Sequence, residues 1–438
     1  MTTYDIAVIG AGPGGYTAAI RAAQLGKKVA LIEKGDIGGS CLNTGCVPTK
    51  TLFASAKFYS KMKNAEKFGI TAENLRADLP KMVERKNRII NQLRKGLEYL
   101  FKGNNIDLVR GEAKLNGPEQ ILVGDQVIEA PHIILATGST IPERSPFKID
   151  EKKILSSTGI LNLEKLPESI AIIGAGAIGI EFTSIFNALG SKVTLFEMMP
   201  RVMPAEDAEV SKALEQLLSR KGVEVRTGTS LTDISGYEIV LVSIGRKLNT
   251  DGFEKLGIEL NKGKVKVNEK MQTNIPNIYA IGDIAGKYMF AHTAAREGIV
   301  AAENICGISA RMDNTAVPKC LYAQPEVGSV GLTEEEARSI HKDIQIGKVP
   351  FSAISKSLID DERDGFVKVI GDRSGKVLGV HIIGNNATEI IGEATLAINK
   401  GLNIHDLIST IHAHPAVYES MGEAAANALK QAISILNK

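Results

Sequence analysis

The chain reads as an α/β protein with two Rossmann-like dinucleotide-binding domains followed by an α+β domain. Three observations predict this. A strand, a glycine turn spaced G-x-G-x-x-G at Gly10, Gly12 and Gly15, a helix and a second strand open the chain. The same order recurs at Gly174, Gly176 and Gly179. From about Asn314 short strands alternate with helices and the glycine fingerprint is gone.

In the first unit, Tyr4 to Ile9 is an apolar run expected to be a buried strand, Gly10 to Gly15 a tight turn, Tyr16 to Leu25 a helix, and Lys28 to Ile32 a strand. Gly10 permits the turn, Gly12 lets backbone approach a pyrophosphate at the helix N-terminus, and Gly15 allows close helix-to-strand packing. Glu33 closes the second strand, where a carboxylate can accept hydrogen bonds from both ribose hydroxyls. The plain alternative is a glycine turn beside a surface glutamate. Five features in the right order make the nucleotide reading the more specific one.

Next comes Cys41-Leu42-Asn43-Thr44-Gly45-Cys46, with two of only four cysteines. Five residues of ideal helix advance about 7.5 Å, beyond the usual Cα spacing of a disulfide, so the backbone has to bend if the thiols are to meet. Gly45 supplies conformational freedom, and Pro48 suits the first turn of a helix starting after the bend. Closing so short a loop stabilises by about 2 to 3 kcal/mol at best, so a structural staple explains the pair poorly and a redox-active pair explains it better. From spacing alone, two buried thiols stay open as an alternative. Half a metal site is disfavoured, because metal-binding pairs are usually closer and need further ligands; no metal is expected.

A helix to about Met62 follows, then one from Lys81 to Phe101 with apolar residues at Met82, Ile89, Ile90, Leu93 and Leu97. Short strands between Ile106 and Ala130 lead to a buried strand at His132 that stops at Thr137-Gly138. In the second unit Ser169 to Ile173 is a strand, Ile180 to Leu189 a helix, and Lys192 to Phe196 a strand ending at Glu197. Third glycine and acid are eighteen positions apart in both copies. Two such sites on one chain imply two redox cofactors that exchange electrons. Glu197 welcomes a ribose 2′-hydroxyl and repels a 2′-phosphate, which favours NAD over NADP even with Arg201 nearby.

An apolar strand from Glu238 to Gly245 precedes a turn and short strand that end at Asp283. An acid at the C-terminal edge of a parallel sheet can bind a cofactor's hydroxyls, and a helix beginning near His292 could aim its N-terminus at the same ligand. A cap or turn role is the plainer alternative for Asp283. In the last domain strands are expected near Val327, Ile346, Val367 and Val377 to Ile383, with helices from Glu334, Ala387 and Ala416. The run from Ile411 to Glu419 places His412, His414 and Glu419 within one turn of a helix start, where thiol chemistry could find its proton acceptor. A packed or surface histidine is the alternative. Cys306 and Cys320 read as buried small residues.

Composition removes other classes. Fifty-two basic against fifty acidic side chains give a net charge of +2 over 438 residues, with no basic block, so a nucleic-acid footprint is missing. No apolar stretch approaches membrane-spanning length, no signal peptide opens the sequence, and so few cysteines fit a reducing compartment; a cytoplasmic location is expected.

Taken together, GAGPGG, GGSCLNTGCVPTK, ATGS, GAGAIGIE, SIGRKLNT, NIYAIGD, AHTAAREG and HAHPAVYE stand in the order that marks the flavoprotein disulfide reductases with two dinucleotide domains. The chain resembles this family over essentially its whole length, and within it the members that reoxidise dihydrolipoamide. The resemblance implies FAD on residues 1–140, completed by a return segment 267–313. It implies NAD on 141–266 and a homodimer interface in 314–438. FAD would be met by Gly10, Gly12, Gly15, Glu33, Lys50, Thr137, Gly138, Asp283 and His292, and NAD by Gly174, Gly176, Gly179, Glu181, Glu197 and Gly245. Lys50 would sit near the flavin, paired with Glu181. Cys46 would face the flavin and Cys41 the substrate dithiol, with His414 from the second subunit as acid/base, oriented by Glu419. The partner would be a lipoyl-bearing protein of a 2-oxo acid dehydrogenase complex or the glycine cleavage system.

The stretch from Glu197 to Gly245 is about twenty residues shorter than the family pattern, its strand meander reduced to Val223 to Tyr237. Ala416 replaces a usual threonine and Leu248 a usual proline. A glutathione reductase would prefer arginines where Glu197 stands, a mercuric reductase would end in a second cysteine pair, and a soluble transhydrogenase would lack one cysteine of the first. A non-catalytic nucleotide-binding redox sensor would need neither the cysteine pair nor His414 and Glu419.

Overall fold

The computed structural model describes residues 2–142 and 147–437, so the expected outer bounds at 1 and 438 fall outside it. The described residues separate into two units, one from 2–51, 80–142 and 245–314, the other from 52–79, 147–244 and 315–437.

The first unit is built on a parallel sheet ordered Ile278–Ala280, His132–Leu135, Ile6–Ile9, Val29–Glu33, Asp107–Arg110. Its inner strands are unbroken apolar runs because both faces are covered, the mark of parallel sheets. The first helix spans Pro13–Gln24, three residues earlier than expected. Pro13, with its preset φ, starts it inside the glycine turn, so Gly14 and Gly15 are already helical. That helix crosses Ala291–Ile305 at two glycines: a Cβ on Gly298 would stand 2.4 Å from the Gly14 carbonyl oxygen. A second sheet in this unit pairs Thr2–Thr3 with the meander Gln126–Glu129, Gln120–Val123, Ala113–Leu115.

The second unit holds a parallel sheet ordered Ile154–Leu155, Ile239–Val242, Ser169–Ile173, Lys192–Phe196, Glu224–Arg226. No strand follows Glu224–Arg226 before Ile239, so the reduction of the meander is complete. The helix after the glycine turn again starts early, at Ala177. Residues 245–266, expected with this nucleotide unit, belong to the first: Phe253, Ile258 and Val265 pack with Ile9, Ile133 and Ile278.

The C-terminal part of the second unit is an antiparallel sheet ordered Lys319–Leu321, Glu326–Gly331, Val377–Gly384, Phe366–Asp372, Ile344–Pro350, packed by helices Ala387–Lys400 and Glu419–Ala428. The last helix begins at Glu419, three residues later than expected. One register line across all five strands is polar: Lys319, Ser329, His381, Lys368, Lys348. Fully buried Lys368 is held by Asp207 at 3.1 Å, Glu209 at 2.9 Å and Glu334 at 2.5 Å, which outweighs the desolvation that opposes its charge. Asp207 also caps helix Ala208–Arg220, so the ion cluster ties this helix to the sheet.

Candidate active site

The cysteine segment bends as the sequence demands. Cys41 lies in the short helix Gly39–Asn43, the chain turns at Thr44 and Gly45, and Cys46 opens the helix Cys46–Lys63. The freedom of Gly45 is not used for a left-handed backbone. Its hydrogen makes room, because a Cβ there would stand 2.9 Å from the Ser40 carbonyl oxygen. Asn43 knits the bend, its amide donating to the carbonyls of Ile37 at 3.0 Å and Gly39 at 2.8 Å while Arg94 Nε donates to its Oδ1 at 2.7 Å.

The bend brings the two thiols into hydrogen-bond contact. That bond and burial push the Cys41 thiol up, while the Lys50 ammonium pulls it down, so Lys50 lies within electrostatic reach of the pair. Cys46 is the more exposed of the two. Tyr16, which motif reading passes over, belongs to the same neighbourhood: burial first, then charge on Cys41 and Cys46, pushes its hydroxyl up.

The acids after the two glycine turns are bonded alike. Glu33 Oε2 accepts from Ala11 N at 2.7 Å and its Oε1 from Gly35 N at 2.8 Å. Glu197 Oε2 accepts from Ala175 N at 2.7 Å and its Oε1 from Met199 N at 2.9 Å. Each oxygen spends one lone pair on the turn and keeps another for a ribose hydroxyl. Neither helix N-terminus is capped by a side chain, so its amides face the space a pyrophosphate takes. The residues therefore fit a dinucleotide at each turn. Arg201 is no rival for Glu197's ligand, since it is paired with Glu335 at 3.1 Å and donates to the Pro204 carbonyl at 3.1 Å.

At the far edge of the first sheet Asp283 accepts from the Ser139 hydroxyl, which in turn takes a hydrogen bond from Arg246 Nε at 2.5 Å. Thr137 and Gly138 are fixed by Asn249: Thr137 Oγ1 donates to its carbonyl at 2.7 Å, and its own N–H reaches the Gly138 oxygen at 3.0 Å. Ser139, Arg246 and Asn249 lie inside the ATGS and SIGRKLNT runs, but motif reading assigns them no role of their own. A cleft of about 590 Å³, lined by Arg246, Leu248, Asn261, Lys262, Lys264 and Met289, opens here. His292 is exposed at the helix start and stacks on Phe290 at 5.2 Å. Gly245, at φ +62°, falls in the first unit, whereas buried Glu181 lies in the second and accepts from Tyr322 N at 3.2 Å.

The two histidines near the C-terminus separate. His412 is nearly buried, its Nε2 3.0 Å from Glu393 Oε1. The His414 side chain is 68% exposed, its Nδ1 2.9 Å from Glu419 Oε1. Burial opposes the Glu419 charge, but the Ala416 N–H at 2.8 Å and His414 together hold its carboxyl below the usual range. His414 thus presents Nε2 outward with a carboxylate behind it, the arrangement of a general acid/base.

Residues 4–298 match the pyridine nucleotide-disulphide oxidoreductase family, and residues 317–425 its dimerisation domain. The chain belongs to this family. It is an oxidoreductase that uses FAD and NAD. Among curated proteins it is 41% identical to a dihydrolipoyl dehydrogenase of Thermus scotoductus, covering 100% of both chains, and 40% identical to one of Bacillus subtilis, covering 99% of both. Among solved structures, the HOCl-induced flavoprotein disulfide reductase of Escherichia coli superposes with a TM-score of 0.87 at 27% identity, over 97% of this chain and 99% of that one. LpdA of Mycobacterium tuberculosis gives 0.89 at 25%, with the same coverage. Among the described residues no helix is long and apolar enough to cross a membrane, and no group of three or more His, Cys, Asp or Glu could hold a metal ion.

Proposed function

We propose that the protein is an NAD-dependent dihydrolipoyl dehydrogenase, reoxidising the dihydrolipoyl group of a lipoyl-bearing protein through a Cys41–Cys46 disulfide. The observation that carries this reading is the contact between the two thiols, made by a bend that follows directly on the first nucleotide unit. The names of the full-length relatives support it.

In the oxidised enzyme Cys41 and Cys46 are bridged. One substrate thiol gives its proton to His414 and attacks Cys41 Sγ; the Cys41–Cys46 bond breaks and Cys46 leaves as thiolate, with Lys50 as the nearby cation. The second substrate thiol then attacks the substrate sulfur of the mixed disulfide. The lipoyl disulfide closes, and Cys41 departs and takes up the proton that this thiol releases, while His414 keeps the first. Glu419 keeps the imidazole oriented and favours its charged form. FAD would be held by the first glycine turn and Asp283 and, when bound, would supply the two-electron path from the dithiol to NAD.

His414 is exposed, which suits a base handed to a second copy, so the active unit is taken to be a homodimer joined through the C-terminal sheet. Glu197 makes NAD the nicotinamide partner. A cytoplasmic setting beside a 2-oxo acid dehydrogenase complex or the glycine cleavage system completes the reading. NADH formation from dihydrolipoamide and NAD, run against NADP and against glutathione with NADPH, tests it. Turnover only with glutathione and NADPH, or none with dihydrolipoamide, overturns it.

A further inference from the structure

Glu297, on the helix Ala291–Ile305, is 1% exposed. A carboxyl group so placed is costly unless bonded. Its Oε2 accepts the N–H of Gly282, the residue before Asp283, at 2.7 Å. Its Oε1 is so close to the chain at Gly286 that a Cβ there would stand 2.3 Å away. The short helical turn Gly282–Ile284 and the residues up to Gly286 are therefore wrapped on this one side chain.

The charged groups facing it come from two elements. Asp283 stands on the turn itself, and Lys264, on the strand Lys264–Val265, donates to the Gly286 carbonyl at 2.7 Å. Arg246 acts at one remove, through Ser139 and Asp283. Helix Pro13–Gln24 meets the Glu297 helix through Gly14 and Ala18, and its Arg21 is occupied by Glu303 at 2.7 Å.

We propose that Glu297 is a positioning residue of the flavin pocket: its buried carboxyl holds the Asp283 turn in the shape that receives FAD, and its charge state sets how tightly FAD is held. This rests on reading the first unit as the FAD site. Burial, reinforced by Asp283 and opposed by the Gly282 N–H and Lys264, pushes Glu297 up to about 7. The sign follows. As pH rises through 7, Glu297 gains a negative charge beside Asp283 and repels an anionic nucleotide, so FAD binding takes up a proton. In the FAD-free protein the raised carboxyl makes stability fall as pH climbs from about 4.5 towards 7, because the folded state binds the proton more tightly than the unfolded one.

The test titrates FAD-free full-length protein with FAD at pH 6, 7 and 8, following flavin fluorescence, for wild type and Glu297→Gln. The glutamine keeps an acceptor for the Gly282 N–H and loses the titration. Wild-type affinity should weaken by about fivefold from pH 6 to pH 8, the scale of one screened charge contact, and the variant should bind with no such slope. Calorimetry of the wild type at pH 7, in two buffers of different ionisation enthalpy, should show net proton uptake and needs no variant to fold. Equal slopes in both proteins, or no proton uptake, overturn the role of Glu297 while leaving the FAD site standing. Failure of FAD to bind at any pH overturns both.

Discussion

The two glycine-turn units are near copies that differ in what is attached to them. The first glycine sits at φ +103° in one and +98° in the other. A Cβ on the third would stand 1.8 Å from the first glycine's carbonyl oxygen in both. The bonds to Glu33 and Glu197 agree within 0.1 Å. The sheets differ at one edge. In the first unit the strand beside His132–Leu135 is Ile278–Ala280, which arrives late in the chain and brings Asp283. In the second the corresponding strand, Ile154–Leu155, comes before the glycine turn, and Ser156 follows it. Only the first copy also has a meander and the cysteine bend. The shared core fits a dinucleotide; on the proposed reading, the additions make one cofactor a retained neighbour of the thiol pair and leave the other to be exchanged.

Removing what only the first unit has should have the largest effect. Cys46→Ser leaves the glycine turn, Glu33 and Asp283 untouched, so FAD stays bound. Dithiol turnover should fall below about a thousandth, because no second sulfur remains as leaving group. Substantial turnover by the variant would refute the disulfide route. His414→Gln should slow flavin reduction by dihydrolipoamide about 10²- to 10⁴-fold, the usual worth of a general base, without changing FAD content. An unaltered stopped-flow rate would remove His414 from that role.

Paired changes in the shared core probe the likeness itself. Gly15→Ala and Gly179→Ala force a methyl against the same backbone oxygen, at a cost of about 1–3 kcal/mol each. The first should lower FAD occupancy and spare NAD binding, while the second should raise the KM for NAD by about 10- to 100-fold and spare FAD. If both variants lost the same nucleotide, the assignment of one cofactor to each unit would be wrong.

Local signals account for what the sequence made legible. The glycine turns, the acids eighteen residues on, the cysteine bend and the His414–Glu419 pair each lie within a stretch of chain where spacing alone constrains geometry. What stayed hidden joins residues far apart. Ser139 reaches Asp283 across 144 positions, and Lys368 reaches Asp207 across 161. The packing of Phe253, Ile258 and Val265 on the first sheet is of the same kind, since no local pattern says which of two similar sheets an apolar segment will cover. Gly45 shows a subtler limit. Glycine marks either a special φ or a close approach, and only the fold reveals that here it is the approach to Ser40.

The smallest effect expected is on nucleotide choice, and it distinguishes the acids that otherwise look identical. Glu197→Arg replaces an acceptor of ribose hydroxyls by a cation that attracts a 2′-phosphate. Arg201 neither duplicates nor blocks that change, because Glu335 and the Pro204 carbonyl already engage it. The ratio of kcat/KM for NADP to that for NAD should therefore rise by about tenfold, equivalent to about 1.4 kcal/mol. The same exchange at Glu33 has no phosphorylated alternative to gain, since FAD offers none at its ribose, and should only weaken FAD binding. An unchanged ratio in the Glu197 variant would mean that this carboxylate serves the turn amides of Ala175 and Met199 alone, and that the second unit selects its nucleotide elsewhere.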